Sequence, residues 1–389
     1  MRIQRDAEKS VRALAERYPV VVITGPRQAG KTTLAQMVFE GKPYVSLEDP
    51  DMRYLADSDP RSFLEQRREG AVLDEIQRCP ELLSYLQGMV DRDPVPGRFV
   101  LTGSEQLGLM SKVSQSLAGR AAIQHLLPFS LAELTAMGRM PGEPNALLFS
   151  GFFPPIHDRN FPVSTWLSNY VQTYVERDVR QMVNVRDLST FHRFLRLCAG
   201  RVGQLLNLAQ MASDCGISHT TARAWISVLE ASYIVFQLTP HHENFNKRLI
   251  KSPKLYFHDS GLAAWLLMIQ SPEQLDIHPM RGALFENMVV AEAFKSRSNR
   301  NDAKNLFFWR DQGGHEVDLL VDQGILLLPV EVKSGKTLNS DYFTGLKRWH
   351  TIAAKRSTPP VLIYGGSQSL QHDGVQVFAW NDPAWPRLF

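Results

Sequence analysis

Gly25-Pro26-Arg27-Gln28-Ala29-Gly30-Lys31-Thr32 matches the pattern GxxxxGK[ST], which suits the cradling of phosphate. Its glycines let the loop curl so that backbone N–H groups converge on anionic oxygens. The helix that must follow adds a partial positive charge at its amino end. Lys31 is placed to reach the β- and γ-phosphates, Thr32 to offer a hydroxyl to Mg²⁺, and Thr33 continues the same turn. Further along, Ala71-Val-Leu-Asp74-Glu75 is an apolar run ending in two carboxylates. Asp74 is the candidate for holding Mg²⁺ through its water shell, and Glu75 for polarising an attacking water. Near the carboxyl end a second group recurs in EVDLLVD…PVEVK. Asp318 lies on one strand-like run and Glu331 and Lys333 on the next, with Glu286 upstream in a helical stretch. Glu331 and Lys333 are two apart, so a strand puts both on one face.

These residues need particular elements to hold them. Pro19 to Thr24 (PVVVIT) reads as a buried strand before the glycine turn, and a helix should open near Lys31. Arg5 to Arg17 reads as an amphipathic helix. Short apolar runs at Tyr44 to Leu47, Ala71 to Asp74, Phe99 to Thr102 and Ala121 to Leu126 read as strands separated by helices or loops. The expected fold class is therefore α/β, with a mainly parallel amino-terminal sheet over residues 1–140. Residues 141–280 read as mostly helical. From Gly282 a helix, three strands, another helix and a strand form a smaller α/β unit, residues 281–389.

The middle region holds NLAQMASDCGISHTTARAWISVLEAS at Asn207 to Ser232. A helix ends near Cys215-Gly216, and a second begins after a short turn. This is a helix-turn-helix pattern with His219 to Glu230 in the recognition position. A strand-like run at Tyr233 to Leu238 and a basic stretch at Asn244 to Lys254 follow in the order of a winged helix. Lys247, Arg248, Lys251 and Lys254 are the candidate phosphate contacts to DNA. The other reading of this module is a packing domain with a solvated charge run.

Bulk composition excludes several classes. Of 389 residues, 44% are hydrophobic and 21% charged, which argues against wholesale disorder. A net charge of +3 is too small to indicate nucleic acid, so any basic footprint must be local. Cys79, Cys198 and Cys215 form no metal or disulfide framework. No long apolar run or signal-like segment is present, so a cytoplasmic chain without a membrane span is expected.

Several segments together resemble the bacterial and archaeal AAA-type ATPases with an AAA_14 domain followed by a DUF4143 domain. They are the glycine turn, LDEIQRCP at Leu73 to Pro80, LTGSE at Leu101 to Glu105, SLAGR at Ser116 to Arg120, LPFSLAEL at Leu127 to Leu134 and YVERDVR at Tyr174 to Arg180. FFWRDQGGHEVDLLVD and PVEVKSG complete the match. GFFPP at Gly151 to Pro155 departs from the expected GG-aromatic-Pro turn by one glycine. The resemblance implies ATP and Mg²⁺ as cofactors, and Ser104, with Thr102 two residues before it, as sensor of the γ-phosphate or attacking water. It also implies Arg120 as an arginine finger supplied to a neighbouring copy, hence a homo-oligomer, with a hexamer as the candidate number. The carboxyl-terminal spacing resembles the PD-(D/E)xK nuclease core, in which Glu286, Asp318, Glu331 and Lys333 would form a second metal site. The alternative is a buried ion-pair network linking Glu331, Lys333 and Asp318. Three functions are open at this point: a motor on DNA, including branched DNA; a nucleotide-gated protein-interaction switch; and an ATP-gated, metal-dependent nuclease.

Overall fold

The computed structural model describes residues 3–104, 112–113, 115–176, 187–241, 251–311 and 313–389. The chain divides into two compact units. One comprises Met1–Phe129 with Ala231–Tyr233 and Ser298–Asp302; the other comprises Ser130–Glu230, Ile234–Arg297 and Ala303–Phe389. The regions expected at 141–280 and 281–389 therefore lie largely in one unit.

In the first unit, β1 (Val20–Thr24), β2 (Tyr44–Ser46), β3 (Ala71–Asp74), β4 (Phe99–Gly103) and β5 (Ala121–His125) form one sheet in the order β2-β3-β4-β1-β5. Every neighbouring pair is parallel. All five residues of β1 are buried, as a central strand covered on both faces requires. Its alternate side chains serve opposite cores. Val21 and Ile23 pack with Val11 of helix α1 (Glu8–Ala15) and Leu34 and Ala35 of helix α2 (Lys31–Val38). Val20 and Val22 pack on the other face with Ala56 of α3 (Pro50–Ser58), Phe63 of α4 (Pro60–Glu65) and Leu86 of α5 (Leu82–Arg92). The result is a three-layer sandwich whose strands all end at the same edge.

The second unit begins with α6 (Leu131–Ala136), whose first turn is closed by a reciprocal capping box between Ser130 and Glu133. After α7 (Pro144–Ser150), the turn at Gly151 forms without a second glycine. Asp259 Oδ2 accepts the Phe152 N–H at 2.6 Å. A Cβ on Gly151 would stand 2.3 Å from Asp259 Oδ1, so only glycine fits there.

Helices α8 (Leu188–Gly200), α9 (Leu208–Cys215) and α10 (His219–Ala231) follow. Gly216, at φ 69°, stops α9 in a left-handed conformation. Ser218 Oγ then accepts the Thr221 N–H at 3.0 Å to start α10. Trp225 of α10 meets Phe191 and Phe194 of α8 edge-on, each at 5.3 Å. Strands β6 (Val235–Leu238) and β7 (Lys254–Phe257) form an antiparallel pair. Of the expected basic stretch, Lys251 is exposed, whereas Lys247 and Arg248 lie outside the described residues, as do positions 177–180 of the YVERDVR segment.

After α11 (Ser260–Leu266) and the long α12 (Arg281–Arg300) comes a six-stranded mixed sheet. Its strands are β8 (Leu306–Arg310), β9 (Glu316–Asp322), β10 (Leu327–Lys333), β11 (Val361–Tyr364), β12 (Leu370–His372) and β13 (Val375–Ala379). They lie in the order β12-β13-β11-β10-β9-β8. Trp349 of α13 (Thr344–Ala353) packs edge-on against Trp309 of β8 at 5.3 Å. Strands β12 and β13 have no counterpart in the sequence reading. Edge strand β12 is three residues long and exposed throughout, so no hydrophobic alternation marks it.

Candidate functional site

The glycine turn joins β1 to α2 at the carboxyl edge of the parallel sheet, where ligands of open α/β folds bind. A Cβ on Gly25 would stand 2.0 Å from the Leu126 carbonyl oxygen, and Gly30 has φ 91°. Gly25→Ala should therefore destabilise the fold by about 1–3 kcal/mol through overpacking. Thermal unfolding checks this, and an unchanged Tm would refute it. Lys31 is buried and donates to the carbonyl oxygens of Gly25 (3.0 Å) and Pro26 (2.8 Å), folded back over its own loop. Arg5, which sequence reasoning did not single out, braces the same loop. It donates to the Ala29 carbonyl at 2.6 Å and the Leu127 carbonyl at 2.8 Å, with its guanidinium 4.9 Å from the Phe129 ring centroid.

Strand order now brings separate segments together. β4 lies between β1 and β3, so Thr102, Asp74 and Thr32 meet at one edge. Asp74 is only 6% exposed. Its Oδ1 accepts Thr32 Oγ1 at 2.8 Å and also the Thr102 hydroxyl. Its Oδ2 accepts the Tyr44 hydroxyl at 2.9 Å. Burial, and then the bond to Asp74, push the Tyr44 phenol up, so Tyr44 stays a neutral donor. Tyr44 had no sequence signal, because an aromatic residue opening a strand is commonplace.

Glu75 takes up a left-handed conformation, φ 56° and ψ 47°, rare for a residue with a side chain. Its N–H donates to Thr102 Oγ1 at 3.3 Å. The carboxylate accepts from Ser104 Oγ at 3.3 Å and from the Gln77 side-chain amide. Thr32, Asp74, Glu75 and Ser104 thus form one polar cluster beside the glycine turn. A hydroxyl and a carboxylate are hard oxygen donors of the kind Mg²⁺ takes, and the turn is shaped for phosphate, so these residues fit Mg²⁺ with a nucleotide.

Arg120 sits at the other end of the sheet. Its carbonyl accepts the Val20 N–H at the amino end of β1, at 3.3 Å. Its guanidinium forks onto Asp91, with Nη2 to Oδ2 at 2.9 Å. That bond holds the Asp91 carboxyl below the usual carboxylate range.

The second cluster lies in the other unit. Carboxylate oxygens of Glu286, Glu316 and Asp318 fall within 4.8 Å of one another. Asp318 Oδ2 accepts the Val332 N–H at 2.9 Å, and Lys333 Nζ lies 4.0 Å from it. Lys333 also pairs with Glu331. Burial, then the charge of Asp318, raise Glu331 to about 8 and Glu286 to about 7. All four expected residues come together here. Glu316 was missed, although the i, i+2 relation in Glu-Val-Asp would place it on the face of Asp318.

Lys254 does not face solvent. Expected to meet DNA phosphate, it is 2% exposed and bonded to Glu286 (2.9 Å) and Glu316. Burial alone would lower its pKa, but Glu286, Asp318 and Glu316 outweigh burial and raise it. The local basic run suggested a wing, but the half-buried carboxylates of Glu286 and Glu316 claimed this lysine instead.

The parallel sheet, its glycine turn and the carboxylates at the same edge define a P-loop ATPase fold of the AAA type. An AAA domain (AAA_14) matches residues 17–135, a domain of unknown function (DUF8612) residues 143–273, and another (DUF4143) residues 281–382. An uncharacterized protein of Mycobacterium tuberculosis is 34% identical over 324 residues, spanning 82% of this chain and 71% of that protein. An uncharacterized protein of Mycobacterium bovis matches to the same extent. The chain belongs to this family of AAA-domain proteins with a DUF4143 domain. Among solved structures it is similar to the Walker-type ATPase of Pyrococcus abyssi, at 14% identity and TM-score 0.46, over 68% of this chain and 96% of that one. It is also similar to a RuvB variant from Thermotoga maritima, at 20% identity and TM-score 0.29, over 61% and 90%. Among the described residues no helix is long and apolar enough to cross a membrane.

Proposed function

We propose that this protein binds ATP with Mg²⁺ at Gly25 to Thr33 and hydrolyses it between copies of itself, driving a helix-turn-helix module on DNA. The observation that carries the ATPase reading is the joining of Thr32 and Asp74 at 2.8 Å, with Glu75 and Ser104 alongside. Bound Mg²⁺ would supply charge neutralisation at the phosphates. Thr32 and Asp74 would hold it, and Thr102 and Tyr44 keep the Asp74 carboxylate oriented. Lys31 would exchange loop carbonyls for phosphate oxygens. Glu75 is the group that orients and polarises water, and Ser104 fixes the Glu75 carboxylate. Release of phosphate from ATP, measured with and without Mg²⁺ and with single-stranded, duplex and branched DNA, tests the reading. No Mg²⁺-dependent turnover under any of these conditions would reject it.

The DNA part is supported by α10, where His219, Arg223 and Ser227 recur at four-residue spacing and are all exposed. Phosphate contacts release counterions, so log affinity should fall linearly with log salt. Replacing Arg223 and Lys251 by Ala should lower the steepness of that line by about one for each phosphate no longer neutralised. An unchanged slope would remove both residues from the interface. No binding to any DNA shape would favour the nucleotide-gated protein-interaction switch.

The carboxylates of Glu286, Glu316 and Asp318 favour a second reading, an ATP-gated, metal-dependent nuclease. Here Asp318 and Glu331 on neighbouring strands would hold the metal, and Lys333 would stabilise phosphate charge. Asp318→Asn and Glu331→Gln should then abolish DNA cutting while ATP turnover persists.

A further inference from the structure

Like-charged carboxylates gathered out of water need a counter-ion, and the identity of that ion decides what the group can bind. Glu286 reaches the cluster from α12, and Glu316 and Asp318 from β9. The cation that meets them comes from β7, the strand pair following the helix-turn-helix. Lys254 Nζ lies 2.9 Å from Glu286 Oε1, is bonded to Glu316, and stands 5.6 Å from the Phe308 ring centroid. Tyr256, two residues along the same strand, donates to the same Glu286 oxygen at 2.6 Å. The ammonium thus bridges two carboxylates from different elements, as a metal ion would.

Glu286, Glu316, Asp318 and Glu331 face Lys254, Lys333 and, on Glu316 at 3.1 Å, Arg310. One oxygen, Glu331 Oε2, is buried without a hydrogen-bond partner among the described residues, in a residue only 7% exposed. Among the charges acting on that carboxylate are Asp318 and Glu286. Oxygen donors at this spacing suit Mg²⁺ or Mn²⁺.

We propose that Glu286, Glu316 and Asp318 form a divalent-cation site that Lys254 occupies as a built-in cation, so that ammonium and metal exclude one another. The inference deepens the nuclease reading by naming a control on its metal, but metal exclusion stands or falls independently of cleavage.

Manganese binding to the nucleotide-free full chain tests this, with Asp74→Asn in every protein to weaken the amino-terminal cation ligands. Electron paramagnetic resonance reads free Mn²⁺. Adding Lys254→Met should create one site per chain, bound at least about tenfold more tightly than by the parent, because a buried like charge has gone. Lys254→Arg should not create it, and Glu286→Gln added to Lys254→Met should abolish it. A folded Lys254→Met protein that binds no more manganese than its parent overturns the proposal. A second measurement avoids altering Lys254. Acetylation of Lys254 by acetic anhydride, read by mass spectrometry, should accelerate with added Mn²⁺ in the Asp74→Asn parent but not when Glu286→Gln is added. An unchanged rate up to millimolar Mn²⁺ likewise overturns it. Manganese uptake by Lys254→Met without DNA cutting supports this inference while removing the nuclease reading.

Discussion

Glu75→Gln is expected to keep nucleotide affinity and lose turnover, with kcat falling by roughly 10²–10⁴. The amide keeps the size and hydrogen-bonding reach of the carboxylate, so Ser104 and Gln77 retain a partner. What disappears is the negative charge proposed to polarise water. Thr32 and Asp74 do not depend on Glu75, so the proposed Mg²⁺ ligands remain. Lys31→Ala should behave differently, removing the cation proposed to pair with phosphate and abolishing binding itself. Equilibrium binding of a fluorescent ATP analogue and single-turnover hydrolysis separate the two effects. Normal turnover in Glu75→Gln would reject the assignment of Glu75, and tight binding by Lys31→Ala would reject that of Lys31.

Arg120→Ala should lower ATP turnover by about 10³-fold or more while leaving nucleotide affinity in place, if Arg120 completes a neighbour's site. The fold excludes the alternative of action within one chain. Arg120 borders the amino end of β1, and the glycine turn leaves the carboxyl end. A five-residue strand separates them by roughly 16 Å. Asp91 meanwhile holds the guanidinium in a fixed direction. Turnover per chain should therefore rise with protein concentration. Mixing Arg120→Ala with the unmodified protein should depress activity beyond simple dilution. A monomer that is fully active at all concentrations, established by light scattering alongside the assay, would defeat this prediction.

What the sequence determined by itself was mostly local. The β-branched run at Val20–Thr24, the glycine turn and the helix from Lys31 are each set by neighbouring residues, so their types and order predict the observed elements. The helix-turn-helix elements were legible for the same reason, with Gly216 stopping one helix and Ser218 starting the next. The spacing of Asp318, Glu331 and Lys333 was legible from strand alternation. Tertiary structure decided the rest. Only the placement of β4 between β1 and β3 brings Thr102 onto Asp74, and only the pairing of β2 with β3 brings Tyr44 there. Lys254 shows the limit most clearly. Its sequence neighbours suggest a solvated basic run, but its environment is set by Glu286 and Glu316, 32 and 62 positions away. Backbone propensity is decided among adjacent residues. The partner of a buried charge is decided by which strands and helices pack together, which local sequence pattern does not encode.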